Sequence, residues 1–168
     1  KAIRLSPDLA NSYSVISTIL RDLGKSKEAE LAARKAIKLK PDFADFHLNL
    51  GTILKDLGKL KEAEIYTRLA IQLKPDFVLA HNNLGGILKD LGKLKDAEKS
   101  TRKAIELIPE FAYAHFNLGT ILIDLGKFKD AELSLCKAIE HDPDLAIAYF
   151  NLSILKCSLD NKTWQNKL

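Results

Sequence analysis

Asparagine stands directly before a leucine at Asn49, Asn83, Asn117 and Asn151, at intervals of 34 residues. A side-chain amide offers both donors and an acceptor, so it can grip a peptide group from two sides; a row of them is chemistry for binding, not for bond breaking. Histidine forms a second row at the same interval, His47, His81 and His115. A shared metal would need every ring nitrogen about 2 Å from one ion. Packed helices stand about 8–10 Å apart, so successive repeats cannot converge on it, and the histidines are expected to pack between helices. Gly24-Lys25-Ser26 has the ending of a phosphate-binding loop, but Ile19 occupies the place of its first glycine. The same frame reads Gly-Lys-Leu at 58–60 and 92–94 and Gly-Lys-Phe at 126–128, which makes it a recurring turn. No serine–histidine–acid set or carboxylate pair stands apart from the repeat. The expectation is therefore no catalytic residue, no cofactor and no metal, in a chain that is not an enzyme.

The elements that must carry these residues are set out by the same period. Pro7, Pro41, Pro75, Pro109 and Pro143 fall 34 residues apart, and residues 44–77 match 78–111 at 22 of 34 positions. A period in this range belongs to stacked helix–turn–helix units, each burying its apolar face only on its neighbours. Apolar residues at helical spacing place first helices near 10–23, 44–57, 78–91, 112–125 and 146–159, with second helices near 26–39, 60–73, 94–107 and 128–141. Gly58 and its counterparts stop each first helix by accepting a left-handed conformation. Each proline stops a second helix, and the aspartate that follows it, except at Pro109, is expected to cap the next one. The spacing predicts one solenoid over 1–168: a stub of a preceding repeat at 1–9, repeats at 10–43, 44–77, 78–111 and 112–145, and a final helix and cap at 146–168. Lys156, Asp160 and Asn161 break the repeat text there, and Trp164 is read as part of the cap. Because KAIRLSPD at the start matches KAIKLKPD in mid-repeat, the chain reads as a piece of a longer array.

The net charge is +4, but its layout decides more than its size. Lys25, Lys59, Lys93 and Lys127 open the same turn of successive repeats, and Glu28, Glu62, Asp96 and Asp130 follow closely. Such a compensated row is a solvated edge. A nucleic-acid groove would cluster basic residues with interleaved aromatics, so no nucleic-acid partner is expected. No apolar run approaches the roughly 18 residues that span a bilayer, so no membrane partner is expected either. Cys136 and Cys157 are the only cysteines, without CxxC or metal spacing, which points to a reducing, cytoplasmic compartment. The sequons at Asn151 and Asn161 lack a secretory context.

Leu50–Gly51, Leu84–Gly85 and Leu118–Gly119 are followed on the second helix by Ala63, Ala97 and Ala131, then by Ala70, Ala104 and Ala138, then by proline. With an aromatic at Tyr13 and Tyr149, this pattern resembles the tetratricopeptide repeat (TPR) over nearly the whole chain. Departures are His47, His81 and His115 in the aromatic position, and Ile16–Ser17 in place of Leu-Gly. The resemblance implies an all-α, right-handed α-solenoid whose first helices line an inner wall. By family register that wall carries Asn11, Asp45, Leu79, Tyr113 and Ile147, then Ser14, Leu48, Asn82, Phe116 and Phe150, turning from polar to aromatic along the array.

The resemblance further implies that the asparagines form a ladder facing this wall, similar to that of the superhelical TPR region of O-linked N-acetylglucosamine transferases. Rungs about 9–10 Å apart would meet every third residue of an extended strand. Two readings stand side by side: the amides bind a peptide, or they bond their own neighbouring helices. The family's carboxylate clamp needs basic residues where Asp45, Leu79 and Tyr113 stand, so capture of a C-terminal carboxylate is not expected. The leading expectation is a non-catalytic scaffold that holds a protein or extended peptide in its groove, through Asn49, Asn83, Asn117, Asn151, Tyr113, Phe116 and Phe150. Two alternatives are a spacer or recruiting array of a larger transferase, and a structural array that associates weakly end to end.

Overall fold

The computed structural model describes residues 6–165. They form nine helices and no strand: α1 (Ser6–Asp22), α2 (Ser26–Leu39), α3 (Ala44–Asp56), α4 (Leu60–Leu73), α5 (Val78–Asp90), α6 (Leu94–Leu107), α7 (Ala112–Asp124), α8 (Phe128–His141) and α9 (Ala146–Gln165). Each first helix pairs antiparallel with its own second helix, and that second helix also meets the next first helix. First helices additionally touch one another across repeats, α1 with α3, α3 with α5 and α5 with α7. The row in mutual contact is the more closely spaced one, so the stack bends toward it and first helices form the inner wall.

The turn within a repeat is made by glycine. Gly24, Gly58, Gly92 and Gly126 all have φ between 72° and 74°, where a side chain would clash with its own backbone. Around Gly58, Lys59 N–H donates to Leu54 O at 2.8 Å and Gly58 N–H to Lys55 O at 2.9 Å. This pair of bonds satisfies carbonyls that a helix end leaves unbonded. The same pair recurs at Gly24, Gly92 and Gly126.

Three sequence expectations about helix ends are corrected. The acidic residue after the proline, Asp42, Asp76 or Glu110, does not cap the following helix: the N-caps of α3, α5 and α7 are Phe43, Phe77 and Phe111, without side-chain bonds. The ring takes that position because it packs: Phe77 is buried with Ala44, Ala70 and Ala80. Second, α1 starts at Ser6, not near residue 10. Pro7 and Asp8 occupy its first turn, where a missing N–H costs no helical bond. Residues 1–5, on which most of the expected N-terminal stub falls, lie outside the described residues. Third, α9 runs on to Gln165 instead of ending near 159. Asp160 stands where the other repeats have the turn-forming glycine, which takes the left-handed conformation at less cost than any residue with a Cβ. The side chain of Trp164, and with it the expected cap, lies outside the described residues.

The core is a chain of overlapping clusters with no single centre. One runs through Ala29, Leu50, Ile53, Leu54, Ala63 and Ile87, joining parts of three successive helix pairs. Ala29, Ala63, Ala97 and Ala131 are fully buried, as are Ala36, Ala70, Ala104 and Ala138. Small residues are required where helices of one repeat cross. A methyl group added at Gly51 would strike the Thr67 hydroxyl and lie 3.4 Å from Ala63 O; at Gly119 it would meet Leu135 Cγ at 2.8 Å. In the first repeat Ser17 replaces that glycine, and the residue opposite is correspondingly Ala33; both are buried.

Candidate peptide-binding surface

The inner wall is built from the outward faces of α1, α3, α5, α7 and α9. Asn11, Asp45, Leu79, Tyr113 and Ile147 recur on it one per repeat, and all five are exposed. Leu79, Tyr113 and Ile147 are 50%, 53% and 52% accessible, so the row is polar at its start and apolar over its second half. Tyr113 leans on Phe111 with ring centroids 6.3 Å apart. The next row behaves differently. Ser14, Leu48 and Asn82 are buried, because the following first helix lies over them. Phe116 is half-buried against the clusters that hold Ala148 and Leu155 of α9, which leaves less of its ring for a ligand. Phe150 is 62% exposed, and no further first helix stands over it among the described residues.

The asparagines occupy the seam between these rows, half-buried. Asn49 Nδ2 donates to Ser14 Oγ at 2.9 Å, Asn83 Nδ2 to Thr52 Oγ1 at 3.0 Å, and Asn117 Nδ2 to Asn82 Oδ1 at 2.9 Å. Each bond ties one first helix to the one before it. The side-chain oxygens of these three residues take no donor among the described residues, so each rung presents an acceptor. Among the described residues Asn151 makes no such bond, and Phe116 stands where Ser14 and Asn82 stand in earlier repeats. Its amide has no partner among them, and it lies on the same helix as Ile147 and Phe150. The polar partners Ser14, Thr52 and Asn82 are in the sequence, but the register that pairs them with asparagines some 31 to 35 residues on is a property of the stacking.

Below the asparagines runs a row of inter-repeat ion pairs: Arg21 with Asp56 at 4.0 Å, Lys55 with Asp90 at 3.4 Å and Lys89 with Asp124 at 3.6 Å. Ile123 occupies the next basic position, so this charge ends where the apolar row is strongest. At the far edge Lys59, Lys93 and Lys127 reach back 2.7–2.8 Å to Glu30, Glu64 and Glu98 of the preceding repeat. Those glutamates also hold Arg34, Arg68 and Arg102. The lysine hydrogen bond, followed by that of the arginine, holds each carboxyl below the usual carboxylate range despite burial.

The histidines are structural ties. His47, His81 and His115 each place Nε2 2.6–2.8 Å from the carbonyl of the proline six residues earlier. Burial pulls the His115 pKa below the ordinary imidazole range; the Pro109 carbonyl opposes this, and His141, 5.3 Å away, adds to it. Both cysteines are exposed and unpaired. Among the described residues no helix is long and apolar enough to cross a membrane.

The antiparallel helix pairs, the glycine-closed turns and the small-residue crossings define a helical-repeat solenoid with an inner wall of first helices. A tetratricopeptide repeat family model matches residues 16–77 and 82–146, and the chain belongs to that family. Proteins of this family are in general non-catalytic scaffolds for protein and peptide partners. No curated protein matches the chain. Among solved structures it is similar to PilF of Pseudomonas aeruginosa, with 20% identity over 93% of this chain and 71% of that one, and a TM-score of 0.84. It is also similar to MamA of Desulfovibrio magneticus RS-1, with 19% identity over 95% of this chain and 90% of that one, and a TM-score of 0.78. YrrB, described as a TPR protein with an unusual peptide-binding site, shares 23% identity over 89% of this chain and 77% of that one, with a TM-score of 0.68. At these identities the likeness is one of fold.

Proposed function

We propose that this chain is a protein-interaction scaffold whose inner wall holds an extended polypeptide segment, with apolar side chains of that segment toward the C-terminal end. The observation that carries the reading is the exposed row of Leu79, Tyr113 and Ile147 beside asparagine oxygens that no group among the described residues uses. Exposed apolar residues in register on one face mark a surface that gains by being covered. The adjacent acceptors, and the free amide of Asn151, supply the bonds that a bound backbone would need. Phe150 extends the apolar surface, and Phe116 contributes the part of its ring that α9 leaves open. Peptide binding in YrrB is consistent with such a use of the fold.

The test is selection of peptides from a displayed library on the array, followed by titration of the selected sequences. Tyr113→Ser with Leu79→Ser should weaken binding at least tenfold, whereas Lys59→Gln with Lys93→Gln should change it little beyond a salt-dependent association rate. If the lysine pair abolishes binding and the inner-wall pair does not, the partner sits on the charged edge and the assignment fails.

A further inference from the structure

On the outer side, α4 and α6 leave between them a slot of about 850 Å³ whose floor includes Leu84 and His81 of α5. One repeat earlier the chain closes the corresponding gap with its own side chain. There Tyr66 stacks on His47, with ring centroids 6.1 Å apart and planes at 21°, and its hydroxyl accepts a 3.0 Å hydrogen bond from Arg34 Nη1. Arg34 is steadied by Glu30 and Glu62. At the α4–α6 slot the floor, the arginine and its first carboxylate recur, but the ring does not. His81 stands for His47, Arg68 for Arg34, and Ser100 for Tyr66, while the shorter Asp96 replaces Glu62 and makes no bond to Arg68. Glu64 holds Arg68 through Nε and Nη2, as Glu30 holds Arg34, and Arg68 Nη1 has no partner among the described residues. Between α6 and α8 the slot appears again at about 510 Å³, with Ser134 in the ring's position.

We propose that the α4–α6 slot receives the side chain of a tyrosine, flanked by acidic residues, from a partner polypeptide. The occupant is defined by Tyr66, which shows what this floor and this arginine hold when the ring is present. A phenol supplies a flat apolar face for Leu84 and the His81 ring, and a hydroxyl that can accept from Arg68 Nη1. Lys95 and Lys99 border the slot without ion-pair partners among the described residues and outnumber the likewise unpaired Asp96, while Glu98 and Glu106 are held by Arg102 and Lys103, so residues on either side of the incoming ring are favoured when they carry negative charge. The slot is separate from the inner wall, so this inference does not rest on the groove proposal.

The test uses the whole chain and a fluorescein-labelled peptide, Glu-Asp-Tyr-Glu-Asp, with versions carrying Phe or Ala at the centre. Anisotropy should show the Tyr peptide bound, the Phe peptide about three- to tenfold weaker for loss of one hydrogen bond, and the Ala peptide unbound. Ser100→Tyr rebuilds the Tyr66 arrangement in the slot and should weaken the Tyr peptide at least tenfold. Arg68→Leu, which removes every donor at that position, should bring the Tyr and Phe peptides to equal affinity, a readout that stands even if Ser100→Tyr does not fold. Tyr113→Ser with Leu79→Ser should leave this binding unchanged. Equal affinity of the Tyr and Ala peptides would overturn the proposal, as would full binding by a Ser100→Tyr chain whose thermal melt matches the parent. So would an effect of Ser100→Tyr confined to sedimentation of the unliganded chain, which would assign the slot to a second copy.

Discussion

At the residue scale the repeat is governed by what can stand opposite what. Gly85 faces Thr101 so closely that an added methyl would overlap its hydroxyl, whereas the Ser17–Ala33 pair solves the same crossing with the bulk exchanged between helices. Gly85→Ala should therefore lower unfolding free energy by about 1–3 kcal/mol. Gly85→Ala with Thr101→Ala should recover at least half of that, and a double-mutant cycle in urea would measure the coupling. A second residue-scale expectation concerns acid. His115 is buried with its pKa depressed, so the neutral ring is favoured in the fold, while an unfolded histidine titrates near pH 6.5. As pH falls below about 6.5 the unfolded chain takes up the proton first, and stability declines until the folded pKa is passed. His115→Phe should remove this part of the slope in unfolding curves taken between pH 7.5 and 5. The asparagine row was legible as a row in the sequence, because type and period suffice for that. That Asn49, Asn83 and Asn117 give their donors to the preceding repeat was not, since it depends on which residues the stack brings opposite them.

At the element scale, each second helix is tied to the next repeat by charge as well as by packing. Lys93 reaches Glu64 at 2.7 Å, and the glutamate also holds Arg68, so one carboxylate fastens two elements. The lysine is about half exposed, which keeps the contribution modest. Lys93→Gln should cost about 0.5–1 kcal/mol at low salt and less at high salt. The same change should let the Glu64 pKa rise toward the ordinary carboxylate value, a shift that carbon-detected NMR titration of the side chain would report. Because that pKa is lowered in the fold, the stabilisation is present above the unfolded value of about 4.3 and lost as pH falls through the folded one. This window lies below that of His115, so the two effects separate on one pH series. Helix boundaries followed the sequence at the turns where glycine or proline acts by its own backbone, as at Gly58 and Pro41, though not at Pro7, which α1 takes into its first turn. They departed where the decision lay with packing or with a missing stop: Phe77 took the cap position expected of the aspartate, and α9 ran through Asp160.

At the scale of the whole molecule, the period made the solenoid legible, yet the outer slot was not anticipated. Its signal was in the sequence, as Tyr66 giving way to Ser100 and Ser134 in otherwise matching text, but a gap is visible only when both walls stand in place. The same nearest-neighbour construction governs stability. No cluster of the core spans the whole array, and each helix pair meets only the pairs beside it, so unfolding free energy should be a sum over repeats and their interfaces. Excising residues 112–145 and joining Phe111 to Ala146 leaves the other turns unchanged and returns α9 to a second helix of the same type, α6 in place of α8. At roughly 0.05–0.15 kcal/mol per residue, the loss of one repeat and one interface should lower stability by about 2–5 kcal/mol and reduce the urea dependence in proportion to the surface removed. A shortened chain that unfolds at the parent's urea concentration with the parent's slope would show that the repeats are not coupled in this way. A chain that does not fold at all would show coupling that reaches beyond nearest neighbours, and the additive description would fail from the other side.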